Sequence, residues 1–206
     1  METLPQYLQD TARKYGDTRV AMRKKTLGIW REYSWIESYT RVRHLALGLQ
    51  QLGLQHGDKV CIIGDNDPEY FWAQLAVQAC GGIAVGIFTD SAPNEIQYVV
   101  QHSDSVVVFA KDQEQCDKML EIRANVPAIR RVIYWEDKGL WNYHDEWLMS
   151  FDALIASGRE LDQREPNRFE ERLAQGKRDD LAIFCYTSGT TRLPKGAMIA
   201  HKNLIG

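Results

Sequence analysis

The sequence has no long hydrophobic run, no cysteine pair at redox or metal spacing, no histidine cluster and no excess of one charge. Each absence closes off a class of protein. The longest apolar stretch, residues 79–88, is too short to cross a bilayer and contains Gly81-Gly82. No transmembrane segment is expected. Met1-Glu2-Thr3-Leu4-Pro5 lacks the basic start and apolar core of a secretory signal. The 4 cysteines, Cys61, Cys80, Cys116 and Cys185, stand far apart and form no C-x-x-C pair, which fits a reduced, cytoplasmic setting. Cys61 and Cys185 fall inside apolar, strand-like runs, where cysteine behaves as a small hydrophobe. His44, His56, His102 and His144 are isolated from one another and show no metal spacing. Lys and Arg total 25 against 28 Asp and Glu, a net charge of -3, with the basic residues scattered. No nucleic-acid partner is expected from that balance.

What the chain does have is alternation. At 206 residues it can bury a core as one domain or one large piece of one. Strand-like and helix-like segments follow each other, which predicts an α/β fold with a mainly parallel sheet flanked by helices. Helices are expected over 4–15, 35–52, 68–79, 94–102, 113–124, 151–157 and 168–174; strands over 19–25, 30–33, 60–63, 83–88, 106–109, 132–135 and 181–185. Ser34-Trp35-Ile36-Glu37 reads as a capping box, and Tyr39, Val42, Ala46, Leu49 and Leu52 follow on one helical stripe before Gly53 closes it. Val60-Cys61-Ile62-Ile63 is apolar throughout, as a strand buried on both faces would be. Asp67-Pro68-Glu69 supplies an N-cap, a first-turn proline and an early acid, with Phe71, Trp72, Leu75, Ala76 and Ala79 expected on the inner face. Residues 136–147 are polar and aromatic, and are expected to form a loop packed onto the sheet by a small satellite cluster.

The most informative segment is Tyr186-Thr187-Ser188-Gly189-Thr190-Thr191-Arg192-Leu193-Pro194-Lys195-Gly196, directly after the apolar run Leu181-Ala182-Ile183-Phe184-Cys185. A strand ending in hydroxyls, glycines and a lysine offers backbone N–H groups, hydroxyl donors and an ammonium to a polyanion such as phosphate. It is not the G-x-x-x-x-G-K-[ST] loop. Pro194 stands where that pattern needs its second glycine, and Gly196 where it needs the metal-binding hydroxyl. An ordinary Gly/Thr-rich turn could also follow a strand, but it would not require this ordered combination.

Read as Y-T-S-G-T-T-x-L-P-K-G-A-M, with His201-Lys202-Asn203 after it, the segment resembles the signature of the adenylate-forming, or AMP-binding, superfamily. The likeness extends upstream through Asp65-Asn66-Asp67-Pro68-Glu69-Tyr70-Phe71, Ala79-Cys80-Gly81-Gly82 and Gly86-Ile87-Phe88-Thr89-Asp90-Ser91-Ala92-Pro93, in the manner of long-chain fatty-acyl-CoA synthetases. The departure is Arg192, where the family usually has glycine or serine; arginine there either adds a phosphate contact or stiffens the loop. Members of that family are more than twice this long. The resemblance therefore implies that residues 1–206 are the N-terminal portion of the large AMP-binding domain, without the rest of that domain and the small lysine-bearing domain.

The implied chemistry is ATP-dependent activation of a small-molecule carboxylic acid, a medium- to long-chain fatty acid, through an acyl-adenylate, followed by transfer to coenzyme A. By the same resemblance, Thr187, Ser188, Thr190 and Thr191 would bond the β- and γ-phosphates and Gly189 and Gly196 would let the backbone close round them. Lys195 would neutralise the leaving pyrophosphate, and Thr187 would ligate Mg²⁺. No catalytic residue is expected within these 206 residues, which are expected to be inactive alone. His201 is expected to be structural or part of an acyl-tunnel wall. Two alternatives stay open: an adenylating enzyme that loads a carrier-protein thiol, and a non-catalytic nucleotide-binding module whose loop Arg192 disables.

Overall fold

The computed structural model describes residues 1–187 and 194–205. Helix α1 (Leu4–Tyr15) leads into a two-stranded antiparallel sheet of β1 (Val20–Thr26) and β2 (Ile29–Ser34), and then α2 (Trp35–Gln51). From there the chain alternates through β3 (Lys59–Ile63), α3 (Pro68–Ala79), β4 (Ile83–Ile87), α4 (Pro93–His102), β5 (Ser105–Ala110), α5 (Gln113–Ile122), β6 (Arg131–Tyr134) and β7 (Leu148–Ser150). Helices α6 (Phe151–Arg164) and α7 (Arg168–Leu173) return it to β8 (Leu181–Thr187), β9 (Lys195–Ala200) and α8 (His201–Ile205). The seven strands of the main sheet lie in the order β7-β6-β5-β3-β4-β8-β9, all parallel except β9, which runs antiparallel to β8.

The central strand shows why this sheet needs helices on both faces. Val60 and Ile62 of β3 join one apolar cluster with α2, α3 and α6, while Cys61 and Ile63 join a second with α4 and α5. Successive side chains of a strand point to opposite faces, so an unbroken apolar strand can be stable only with both faces covered. The β3-to-β4 crossover therefore puts α3 on one side, and the β4-to-β5 crossover, which passes over β3, puts α4 on the other.

Most expected elements are present, and the differences come from contacts between elements. The Ser34 capping box forms: Ser34 accepts from the Glu37 N–H at 3.2 Å and Glu37 accepts from the Ser34 N–H at 2.7 Å. Helix α2 is buried more broadly than one stripe, through Leu45, Leu47 and Gly48 as well as Val42, Ala46 and Leu49, because α6 lies along a second side of it. The helix expected over 151–157 runs on to Arg164 as α6, with Gly158 inside it, where a side chain would overlap the His44 carbonyl of α2. Asp67 caps α3 in position but not through its side chain, which instead lies 3.1 Å from the Lys24 ammonium and accepts from the Trp135 indole N–H at 3.3 Å. Phe71 faces solvent, and Ala73 and Val77 occupy the inner arc of α3 with Trp72 and Ala76. In the 136–147 loop Trp147 and Leu140 are buried against the second cluster, as a satellite cluster requires, while Trp141 is exposed. Among the described residues, no helix is long and apolar enough to cross a membrane.

Candidate phosphate-binding site

Strands β3, β4 and β8 are parallel neighbours and end on the same rim of the sheet. In the sheet order β4 is succeeded by β5 on one side and β8 by β9 on the other, so the direction of winding switches between β4 and β8. Open α/β sheets bind ligands where the winding switches in this way, outside the carboxyl ends of their strands. A cleft of about 450 Å³ occupies that position. Gly64, Asp65 and Asn66 after β3 border it, as do Gly86 to Thr89 at the end of β4, Ile183 to Tyr186 on β8, and Tyr70 and Gln74 of α3.

Small residues create the room. Ala84 and Gly86 pair with Val60 and Ile62, so they share the face that α3 covers. A Cβ on Gly86 would lie 2.8 Å from the Tyr70 hydroxyl, which leans over this glycine. Burial raises the Tyr70 pKa, so the phenol stays protonated at neutral pH. The cleft thus has an apolar body of aromatic and aliphatic side chains beneath a polar mouth. At that mouth Asp65 accepts from the Lys111 ammonium at 2.6 Å, a bond that raises the Lys111 pKa.

β8 ends beside this mouth, with Tyr186 lining the cleft. Thr187 and Lys195 are cross-strand partners at the ends of β8 and β9, and Tyr186 pairs with Gly196 one step further in. The lysine and one of the threonines expected at a phosphate thereby stand opposite each other on paired strands, both exposed. Ser188, Gly189, Thr190 and Thr191, together with Arg192, lie outside the described residues. Gly196 lies within β9 rather than in a loop. It is absent from the glycines with positive φ, and a Cβ on it would come 3.1 Å from the Tyr186 ring. Its lack of a side chain gives Tyr186 a seat.

Helix α4 grips both stems of this connection. The Tyr98 hydroxyl donates to the Pro194 carbonyl at 3.0 Å, and His102 Nδ1 shares a 2.7 Å hydrogen bond with the Tyr186 hydroxyl. Tyr98 and His102 stack one helical turn apart, with centroids 5.3 Å apart, and His102 meets the Tyr186 ring edge-on at 5.7 Å. Burial pushes the Tyr186 phenol up to about 12, so it remains a neutral hydrogen-bonding group.

No sequence pattern points to Tyr98 or His102 as neighbours of the segment. Their spacing on α4 is visible, but Tyr186 lies 84 residues from His102, and no local pattern links them. Cys185, which shares with Cys61 the expectation of a small hydrophobe in an apolar run, differs from the other cysteines. Cys61, Cys80 and Cys116 are buried, with thiols pushed up to about 11, 12 and 12 chiefly by desolvation, whereas Cys185 is exposed and lines the cleft. β8 lies beside the edge strand β9, so its outer portion lacks the cover that β3 has.

His201 belongs to the opposite rim. β9 carries the chain from Lys195, beside Thr187, to Ala200, which pairs with Leu181 at the start of β8. The imidazole is buried, accepts from the Leu4 N–H at 3.3 Å, and has its pKa lowered by desolvation. It anchors the start of α1. It is not a wall of the cleft, and it is a strand's length from the expected phosphates. Among the described residues, no group of three or more His, Cys, Asp or Glu is placed to hold a metal.

The same fold recurs in known proteins. The AMP-binding enzyme family model matches residues 8–206. A long-chain-fatty-acid–CoA ligase of Xenopus laevis, ACSBG2, is 29% identical over 202 residues, covering 98% of this chain and 26% of its own length. The long-chain-fatty-acid–CoA ligase FadD15 of Mycobacterium bovis is 32% identical over 178 residues, covering 86% of this chain and 28% of its own. The chain thus spans about a quarter of the length of these relatives. Among solved structures, acetoacetyl-CoA synthetase from Streptomyces lividans superposes with a TM-score of 0.77 at 22% identity, over 97% of this chain and 30% of that one. A putative long-chain-fatty-acid CoA ligase from Rhodopseudomonas palustris gives 0.76 at 20% identity, over 98% and 45%. These two likenesses establish the fold, and the family model, running through nearly the whole sequence, establishes kinship: the chain belongs to the AMP-binding enzyme family.

Proposed function

We propose that this chain provides the phosphate-gripping part of an ATP-dependent acid–thiol ligase that activates a medium- to long-chain fatty acid as its acyl-adenylate and passes it to coenzyme A. Residues 1–206 would form the N-terminal portion of that enzyme's large domain, with catalytic groups supplied from elsewhere in it. The observation that carries this reading is the pairing of Thr187 with Lys195 at the mouth of an apolar cleft, on a stretch with the family's hydroxyl-glycine-lysine order.

In the first half-reaction a carboxylate oxygen attacks the α-phosphorus of ATP, the bond from that phosphorus to the bridging oxygen breaks, and pyrophosphate leaves. An anion approaches a tetra-anion, so fixed donors and cations aimed at the departing charge lower the barrier. Lys195 would hold its ammonium against the β- and γ-phosphates, and Thr187, Ser188, Thr190 and Thr191 would donate to their oxygens, with Gly189 allowing close approach. The apolar body of the cleft, with Tyr70, Ile183 and Phe184, would take hydrocarbon and exclude water from the acyl end. Thr187 is an exposed hard-oxygen donor at the strand end, which suits Mg²⁺, an ion that keeps most of its shell as water and phosphate oxygens. Bound there, Mg²⁺ would neutralise phosphate charge. In the second half-reaction the coenzyme A sulfur attacks the acyl carbon and AMP leaves.

Fatty-acid-dependent exchange of pyrophosphate into ATP by the intact enzyme tests the proposal. Each lost charge-assisted hydrogen bond costs about 1.5–3 kcal/mol, so Thr187→Ala or Lys195→Ala should slow exchange by roughly ten- to a hundredfold. Exchange that no carboxylic acid stimulates, or that both substitutions leave intact, would overturn the reading.

A further inference from the structure

The β1–β2 hairpin carries a feature that the phosphate site does not use. Its two-residue connection, Leu27-Gly28, has both residues at positive φ, +50° and +84°, between the paired Thr26 and Ile29. That is the backbone of a type I′ turn, for which Asn-Gly is the favoured sequence because asparagine tolerates the left-handed region. Leucine does not share that tolerance. The side chain is also 98% exposed, beside Ile29 at 70% and Trp30 at 60%. A residue that strains its backbone and wets its whole side chain contributes nothing to folding that asparagine would not do better.

The surroundings define what would cover this tip. The hairpin, residues 20–34, contains four basic side chains, Arg23, Lys24, Lys25 and Arg31, against one acidic, Glu32, although the whole chain carries -3. Arg23 pairs with Glu32, and Lys24 with Asp67 and Glu69. Among the described residues neither Lys25 nor Arg31 has a carboxylate partner, and the Lys25 ammonium lies 5.8 Å over the Trp30 ring. Towards its base the hairpin is held by Tyr33, packed edge-on against Trp72 at 5.0 Å, and by the Lys24 ion pairs. The result is a fixed stem with an apolar tip of leucine, isoleucine and tryptophan flanked by two basic side chains, Lys25 and Arg31, without a carboxylate partner among the described residues.

We propose that this tip docks on an anionic lipid surface. Leu27 and Ile29 enter the headgroup layer, Trp30 sits at its polar boundary, and Lys25 and Arg31 face the lipid phosphates. Tryptophan prefers that interface, and basic residues are drawn to the negative surface next to it. The proposal does not depend on the nucleotide reading.

Co-sedimentation of the 206-residue chain with phosphatidylcholine vesicles, and with phosphatidylcholine–phosphatidylglycerol vesicles, tests it. The chain should partition at least about tenfold more strongly into the anionic vesicles, and added salt should weaken that binding. Leu27→Asn combined with Trp30→Ser should lower partitioning about tenfold, and Lys25→Ser with Arg31→Ser should abolish the preference for anionic lipid. Because Asn suits the turn, Leu27→Asn alone should weaken partitioning without lowering the Tm, which separates loss of docking from loss of fold. Equal binding to both vesicle types, binding unchanged in the tip variants, or concentration-dependent self-association that Leu27→Asn removes would each overturn the proposal.

Discussion

Loosening the α4 grip on the phosphate segment should weaken ATP binding while leaving the acid site alone. Tyr98→Phe removes a single hydroxyl, the donor to the Pro194 carbonyl at 3.0 Å. A neutral hydrogen bond contributes about 0.5–1.5 kcal/mol net, and a partly buried one falls near the middle of that range. His102→Ala removes the bond to Tyr186 and the stack with Tyr98, but this pair is more exposed, so the lower end applies. Together they amount to about 1.5 kcal/mol, close to a tenfold change in an equilibrium constant. The double variant of the intact enzyme should thus show KM for ATP raised about tenfold in pyrophosphate exchange, with KM for the fatty acid changed by less than about twofold. Because the two rings touch, a double-mutant cycle would read any coupling between them as a departure from that sum. An unchanged KM for ATP with an unchanged Tm would refute the reasoning. An equal rise in both KM values would show a general loss of structure rather than of loop positioning.

Gly158→Ala should destabilise the chain: alanine gains about 1 kcal/mol of helix propensity, but its Cβ meets the His44 carbonyl, and overpacking costs about 1–3 kcal/mol, more where backbone must move. Thermal unfolding should show a lower Tm, by about 2–4 °C for each net kcal/mol; a higher one would mean that α2 and α6 do not approach as described. Desolvation lowers the His201 pKa, so its contribution is fully present above the unfolded value near 6.5 and is lost as pH falls towards the depressed folded value. The Tm should therefore drop between pH 7 and 5, and His201→Gln, which keeps an acceptor for the Leu4 N–H, should flatten that drop; equal slopes would exclude His201 as a source. Of the four thiols only Cys185 is exposed, so iodoacetamide should label it first in the native chain, as mass spectrometry would read, and all four after denaturation. Rapid native labelling of Cys61 or Cys80 would contradict the packing of β3 and α3.

The order of helices and strands, the capping box at Ser34, the doubly buried strand at Val60 to Ile63 and the hydroxyl-glycine-lysine stretch are legible in the sequence because each depends on neighbours a few residues away. Periodicity reports which face of an element is buried, and capping and turn chemistry report where it ends. The same locality explains what could not be read. Lys195 and Gly196 form a strand only because β8 offers them a hydrogen-bonding edge; the residues themselves have no strand pattern. The helix expected over 151–157 stops short of Gly158, whose place inside α6 is explained only once α2 is laid against it, and the room at Gly86 shows only once Tyr70 leans over it. His102 looks isolated along the chain, yet the fold seats it against Tyr186. Local interactions settled the identity and order of the elements. The cleft, its clamp and the far-rim burial of His201 depended on contacts between segments distant in sequence, which exist only after the sheet has chosen its strand order.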